Sequence, residues 1–113
     1  VLGLDHNEPG VRAAATLRPG QYRVGSEAEF AAALAKPWDA VLLDPPRTGA
    51  RAIMPALAHS TTGKIVYVAC DPATLARDLK MLGEGGWRLD RAIAVDLFPH
   101  TPHVETVCLL TRP

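Results

Sequence analysis

The segment Ile65-Val66-Tyr67-Val68-Ala69 is an unbroken apolar run that stops at Cys70, and Asp71-Pro72 follows at once. The run predicts a buried strand. Asp71 suits the N-cap and Pro72 the first position of a helix. A strand fed directly into a helix is half of a βαβ unit, so this chain belongs among sheets covered by helices. The same alternation recurs along its length. Val1 to Leu4 reads as a strand ending in Asp5, and Asn7 caps a helix running to about Leu17. Arg18-Pro19-Gly20 breaks that helix before a short strand, Gln21 to Val24. Ser26 with Glu29 forms a capping box for an alanine-rich helix that stops near Lys36-Pro37. Ala40 to Leu43 is an apolar strand ending at Asp44, and Arg51 to His59 is a short helix. The helix after Cys70 is expected to run to about Leu82 and close at Gly83.

The last third changes character. Trp87 to Leu97 and Val104 to Leu110 are strand patterns joined by the loop Phe98 to His103, with no helix between them. They should pair antiparallel. The expected fold is therefore one α/β domain over residues 1–113, mostly parallel with an antiparallel last strand. No glycine-rich nucleotide loop follows any strand, since Gly83, Gly85 and Gly86 follow a helix. In a doubly wound sheet that loop follows the first, central strand. The expectation is a domain lacking that strand, with unpaired strand edges through which the chain self-associates.

Bulk properties narrow the function classes. The net charge is zero at 48% hydrophobic and 21% charged residues, a globular balance with no broad basic footprint for nucleic acid. No stretch is long and apolar enough to span a bilayer. Cys70 and Cys108 are the two cysteines, 38 positions apart, which fits neither a disulfide framework nor a metal motif and gives a cytoplasmic setting as the default. His100 and His103 lack a third ligand at metal-binding spacing, so no metal is expected.

Chemistry concentrates at strand ends. Asp5, Asp44 and Cys70 each close a strand, and Glu105 sits where the last strand begins. The carboxyl ends of parallel strands share one edge of a sheet, and an antiparallel strand starts on that same edge. All four side chains are therefore expected to converge on one crevice. A thiol facing a helix N-terminus gains thiolate character, and a thiol with a carboxylate suits covalent addition followed by proton removal. Each of the four has a structural alternative: Cys70 as a small buried hydrophobe, Asp44 as a turn cap, Asp5 as a solvated loop acid and Glu105 as a charged residue opening an exposed strand. Cys108 lies within an apolar strand and reads as core. Arg77 and Lys80 read as a solvated helix face.

Three motifs occur in order: Asp44-Pro45-Pro46-Arg47 with Gly49, Tyr67 through Asp78 around Cys70, and Asp96 through Glu105. Together they resemble the carboxyl-terminal motifs of the RNA 5-methyluridine methyltransferase family, strongly from Val41 onward. The resemblance implies a Rossmann-like methyltransferase sheet that uses S-adenosylmethionine to methylate uracil C5 in transfer or ribosomal RNA. It matches Cys70 to the nucleophile, Glu105 to the base that removes the C5 proton, and Asp44 to an acid at the junction of cofactor and substrate. Asp5 resembles the acid that binds the cofactor ribose hydroxyls. Arg47 and His103 flank this site and are candidates for contacts to RNA. The family usually has Ser-Cys-Asn where this chain has Ala69-Cys70-Asp71, and the Asp71 charge opposes a thiolate at Cys70. Methylation of cytosine C5 or of an adenine amine, and a non-catalytic binding module, are the alternatives.

Overall fold

The computed structural model describes all 113 residues. In chain order the elements are β1 (Leu2–Asp5), α1 (Glu8–Leu17), β2 (Gln21–Val24), α2 (Glu27–Ala33), β3 (Val41–Leu43), a 3-10 turn (Arg51–Ile53), α3 (Met54–His59), β4 (Lys64–Ala69), α4 (Pro72–Glu84), β5 (Arg88–Val95) and β6 (Glu105–Thr111).

Local sequence signals explain most of these boundaries. The Asn7 side chain accepts from the Gly10 amide and starts α1. Ser26 and Glu29 make the reciprocal capping box that starts α2. The Asp71 carboxylate accepts from the Thr74 amide at 2.9 Å and starts α4, with Pro72 in its first turn. The end of α4 corrects the expected stop at Gly83, because the helix continues to Glu84. Gly86 takes the left-handed conformation, φ +88°, and the Trp87 amide bonds back to the Leu82 carbonyl at 3.1 Å. This is a Schellman closure, which needs its glycine one position past the cap.

Two sheets form. β1 and β2 pair in parallel, and the second sheet has the order β3-β4-β6-β5. β3 and β4 are parallel, while β6 runs against both β4 and β5. The expected antiparallel pair is present, with β6 between β4 and β5 rather than at the edge. β1 and β3 share no ladder, and a cavity of about 560 Å³ separates them, lined by Leu2, Leu4, Phe30, Leu34, Val41 and Leu42 among others.

The core lies on one face of the larger sheet. Val41, Leu43, Ile65, Tyr67, Ala69, Cys108 and Leu110 are buried there together with Met54 and Leu57 of α3 and Leu75 and Leu82 of α4. Cys108 is core, as its apolar surroundings in sequence foretell. Each large aliphatic side chain taken fully from water here contributes roughly 1.5–3 kcal/mol. α3 and α4 approach closely at Gly85, where a Cβ would stand 2.6 Å from that of Ala58. The other face is open at Leu42, which is 68% exposed.

Candidate active site

β4 delivers Cys70 to the edge of the larger sheet at the point where α4 begins. Its side chain is half-buried. The antiparallel ladder pairs Val68 with Val107 and Ala69 with Thr106. The ladder's last pair is Ala69–Thr106, so Cys70 and Glu105, the half-buried first residue of β6, are the next residues along each strand at that end. Alternation along each strand assigns both positions to one face of the pair. That face is the one carrying Val68 and Val107, opposite the core packed by α3 and α4.

Asp5 and Asp44 form a second pair. Both line a crevice of about 360 Å³ whose walls include Leu4, Gly25, Phe30 and Ile53. It opens where β1 and β3 end, so two exposed carboxylates meet an apolar floor. The expectation that all four groups enter one cavity needs correction on this point. Asp5 and Asp44 line this crevice and Cys70 and Glu105 do not. The four sit two by two along one edge, because β4 and β6 lie beyond β3 from the gap.

Arg47 and His103 are brought together from residues 56 positions apart. The Arg47 guanidinium contacts His103 Nδ1 at 3.2 Å. A guanidinium only donates, so Nδ1 is the acceptor in this contact. The Arg47 charge also reaches Asp71, whose carboxyl is held below its ordinary range chiefly by the Thr74 amide, with the Ala73 amide, the Thr74 hydroxyl and Arg47 adding to the effect. Arg47 thus offsets some of the negative charge that Asp71 places beside Cys70.

Sequence reasoning missed Asp78 and misplaced Arg77. Arg77 is not simply a solvated face: it bonds the Asp78 carboxylate at 2.8 Å and the Thr48 carbonyl at 2.9 Å. Lys80, in contrast, is exposed as expected. Asp78 is fully buried and also accepts from the Tyr67 hydroxyl and the Ala50 amide. Burial, followed by that bond to Asp78, raises the Tyr67 phenol far above its ordinary pKa. The available signal was positional. Asp78 stands between Leu75 and Leu82 in the buried stripe of α4, where helical patterning demands an apolar residue.

The described residues contain no cluster of three or more metal-ligating side chains and no helix long and apolar enough to cross a membrane. The arrangement of strands, helices and edge crevice is the fold of S-adenosylmethionine-dependent methyltransferases. Magnesium protoporphyrin IX methyltransferase of Synechocystis PCC 6803, solved with bound SAM, superposes on it with a TM-score of 0.66 at 19% identity, over 100% of this chain and 59% of its own.

Closer likenesses narrow the class. The Pyrococcus abyssi tRNA (uracil-54, C5)-methyltransferase, solved in complex with S-adenosyl-L-homocysteine, has a TM-score of 0.85 and 39% identity, over 98% of this chain and 28% of that one. A 23S rRNA (uracil(1939)-C(5))-methyltransferase, RlmD, of Chromohalobacter salexigens is 54% identical over 74 residues, which is 66% of this chain and 16% of that relative. Residues 35–113 match the tRNA (uracil-5-)-methyltransferase family, and the chain belongs to that family. It spans only 16–18% of the length of the first three curated relatives it matches.

Proposed function

We propose that this chain is the catalytic carboxyl-terminal part of an enzyme that methylates C5 of a uridine in transfer or ribosomal RNA, with Cys70 as nucleophile and Glu105 as base. The observation that carries this reading is that Cys70 and Glu105 are the residues next beyond Ala69–Thr106, the last pair of the β4–β6 ladder. A half-buried thiol and a half-buried carboxylate at the same end of one ladder suit attack on, and proton removal from, adjacent carbons of one pyrimidine ring.

The crevice between β1 and β3 fits the cofactor. Two carboxylates suit the paired hydroxyls of a ribose, and the Phe30 and Ile53 side chains offer an apolar surface to its remainder. Asp5 and Asp44 are the residues that hold it. S-adenosylmethionine, when bound, supplies the electrophilic methyl group for C5.

The chain's own groups perform the rest. The Cys70 thiolate forms a bond to uracil C6, the C5–C6 π pair shifts to C4–C5 and the C4 carbonyl π pair moves onto its oxygen, giving an enolate with a nucleophilic C5. After C5 is methylated, Glu105 takes its proton. The C5–H pair then restores the double bond and expels the Cys70 thiolate. A stacked base cannot present C6 to a thiol at a sheet edge, so the uridine is flipped or single-stranded. Arg47 and His103, already in contact, lie on the rim and bind RNA phosphate or base edges. The enzyme works in the cytoplasm, where its two unpaired cysteines stay reduced.

The 113 residues form one part of a single catalytic domain. In isolation they associate through the unpaired edges of β1 and β3 that face the apolar gap. Nucleoside mass analysis of RNA treated with the full-length protein tests the proposal. The expected product is 5-methyluridine. Finding 5-methylcytidine or a methylated adenine amine in its place would assign a different target base.

A further inference from the structure

We infer that Asp78 is a positioning residue for Cys70 chemistry, fixing the loop that carries Arg47 against the helix that Cys70 precedes. The inference rests on the reading of Cys70 as the reacting thiol. Its basis is the way α4 grips residues 47–50. The Thr74 hydroxyl donates to the Arg47 carbonyl at 2.9 Å, and Arg77 donates to the Thr48 carbonyl at 2.9 Å. One Asp78 oxygen accepts the Ala50 amide at 2.7 Å. Thr74, Arg77 and Asp78 are spaced at three and four residues, so one side of α4 reads consecutive backbone groups of the loop.

Gly49 completes the fit. It bonds back to the Pro46 carbonyl, adopts φ +78°, and lies so close that a Cβ would stand 2.6 Å from an Arg77 nitrogen and 2.7 Å from Asp78. A side chain at position 49 would therefore push the loop off the helix.

Asp78 is the centre of this contact. It is fully buried, and both its oxygens are engaged, one by the Tyr67 hydroxyl at 2.6 Å and the Ala50 amide, the other by Arg77. A carboxylate in a hydrophobic core is expensive to maintain, and an apolar residue would fill this place in the helical stripe more cheaply. What the carboxylate adds is a fixed position for the loop. That loop leaves β3 at Asp44, and its Arg47 side chain reaches Asp71 and His103 over the first turn of α4. Asp78 thereby sets where the Arg47 charge stands relative to Asp71, the residue that follows Cys70.

The test is a double-mutant cycle on the alkylation rate of Cys70 by iodoacetamide at neutral pH in the folded full-length protein. Cys108 is fully buried, and Cys70→Ala gives the background from any other thiol. Asp78→Asn and Arg47→Gln are each expected to slow alkylation about fivefold. Because Asp78 acts through Arg47, the double variant should be no slower than the slower single. Leu57→Ala, which weakens the core and removes none of the hydrogen bonds between α4 and the loop, should alkylate within about twofold of wild type. Tyr67→Phe, which removes the hydroxyl that holds the same Asp78 oxygen as the Ala50 amide, provides the same cycle should Asp78→Asn not fold. Multiplicative slowing in the double variant, or equal slowing in Leu57→Ala, would overturn the inference. Failure of wild type to capture 5-fluorouridine RNA would instead count against the role of Cys70, while the cycle would still decide whether Asp78 acts through Arg47.

Discussion

Cys70 and Glu105 each stand one residue beyond Ala69–Thr106, the last pair of the β4–β6 ladder. They lie 35 positions apart in sequence, yet the antiparallel return of β6 brings them to one end of the same ladder. Their separate roles are distinguishable by substitution. Glu105→Gln keeps the volume of the side chain and removes its basicity. Cys70 should still add to uridine, but the C5 proton should stay in place. Methylation should fall by on the order of 10²–10⁴-fold, while a covalent protein–RNA adduct accumulates with ordinary uridine and cofactor. A denaturing gel and a tritium-release assay read the two effects. Loss of adduct and turnover together would deny Glu105 the role of base.

The Asp5–Asp44 crevice predicts a different signature. Asp5→Asn and Asp44→Asn should each weaken cofactor binding by roughly tenfold or more, the loss expected when a charge-assisted hydrogen bond to a hydroxyl becomes a neutral one. Calorimetry with S-adenosylmethionine on the full-length protein measures it. The Cys70→Ala variant should bind cofactor as wild type does, because Cys70 does not line that crevice.

The cap of α4 gives a pH dependence with a defined sign. The Asp71 carboxyl is held below its ordinary range in the fold, first by the Thr74 amide. Its stabilising contribution is therefore complete above the unfolded value of about 3.9 and disappears as pH falls through the lower folded value. Asp71→Asn retains a capping oxygen without a charge. It should be somewhat less stable than wild type near neutral pH and lose less than wild type does on acidification. The same change removes the negative charge beside Cys70, so Cys70 should alkylate faster in Asp71→Asn.

Stability should follow the core and not the count of apolar residues. Leu57 is fully buried, and Leu57→Ala should cost about 2–5 kcal/mol in urea unfolding. Leu17 is 76% exposed, and Leu17→Ala should stay within about 0.5 kcal/mol of wild type.

The gap between β1 and β3 predicts association of the isolated 113 residues. Sedimentation should show a mass that rises with concentration. Leu42, exposed and lining the gap, is the place to interrupt it, and Leu42→Lys should shift the population toward monomer. The isolated chain should bind S-adenosylmethionine weakly or not at all. A monodisperse monomer at every concentration would remove the case for sticky strand edges.

Much of this architecture is written locally in the chain. Asn7, Ser26 with Glu29, and Asp71 with Pro72 each act within three or four residues, so the helix starts could be read directly. The order of strands could not be read so. Nothing near Val104 dictates that β6 inserts between β4 and β5, since that choice depends on which strands offer a free edge. Arg77 shows the same limit. Its partner Thr48 lies 29 positions away, and a helix pattern alone makes it look like one more solvated cation. Convergence at the site was half legible. Strand ends shared an edge as expected, but the width of the gap and the strand order divided four residues into two pairs.

Covalent catalysis by Cys70 is probed most sharply with RNA containing 5-fluorouridine, whose C5 fluorine cannot leave as a proton does. With cofactor, wild-type full-length protein should stay covalently joined to this RNA through the sulfur of Cys70, as peptide mass mapping would show. Cys70→Ala should neither capture it nor methylate ordinary uridine. Capture or C5 methylation by Cys70→Ala would contradict the role given to this thiol.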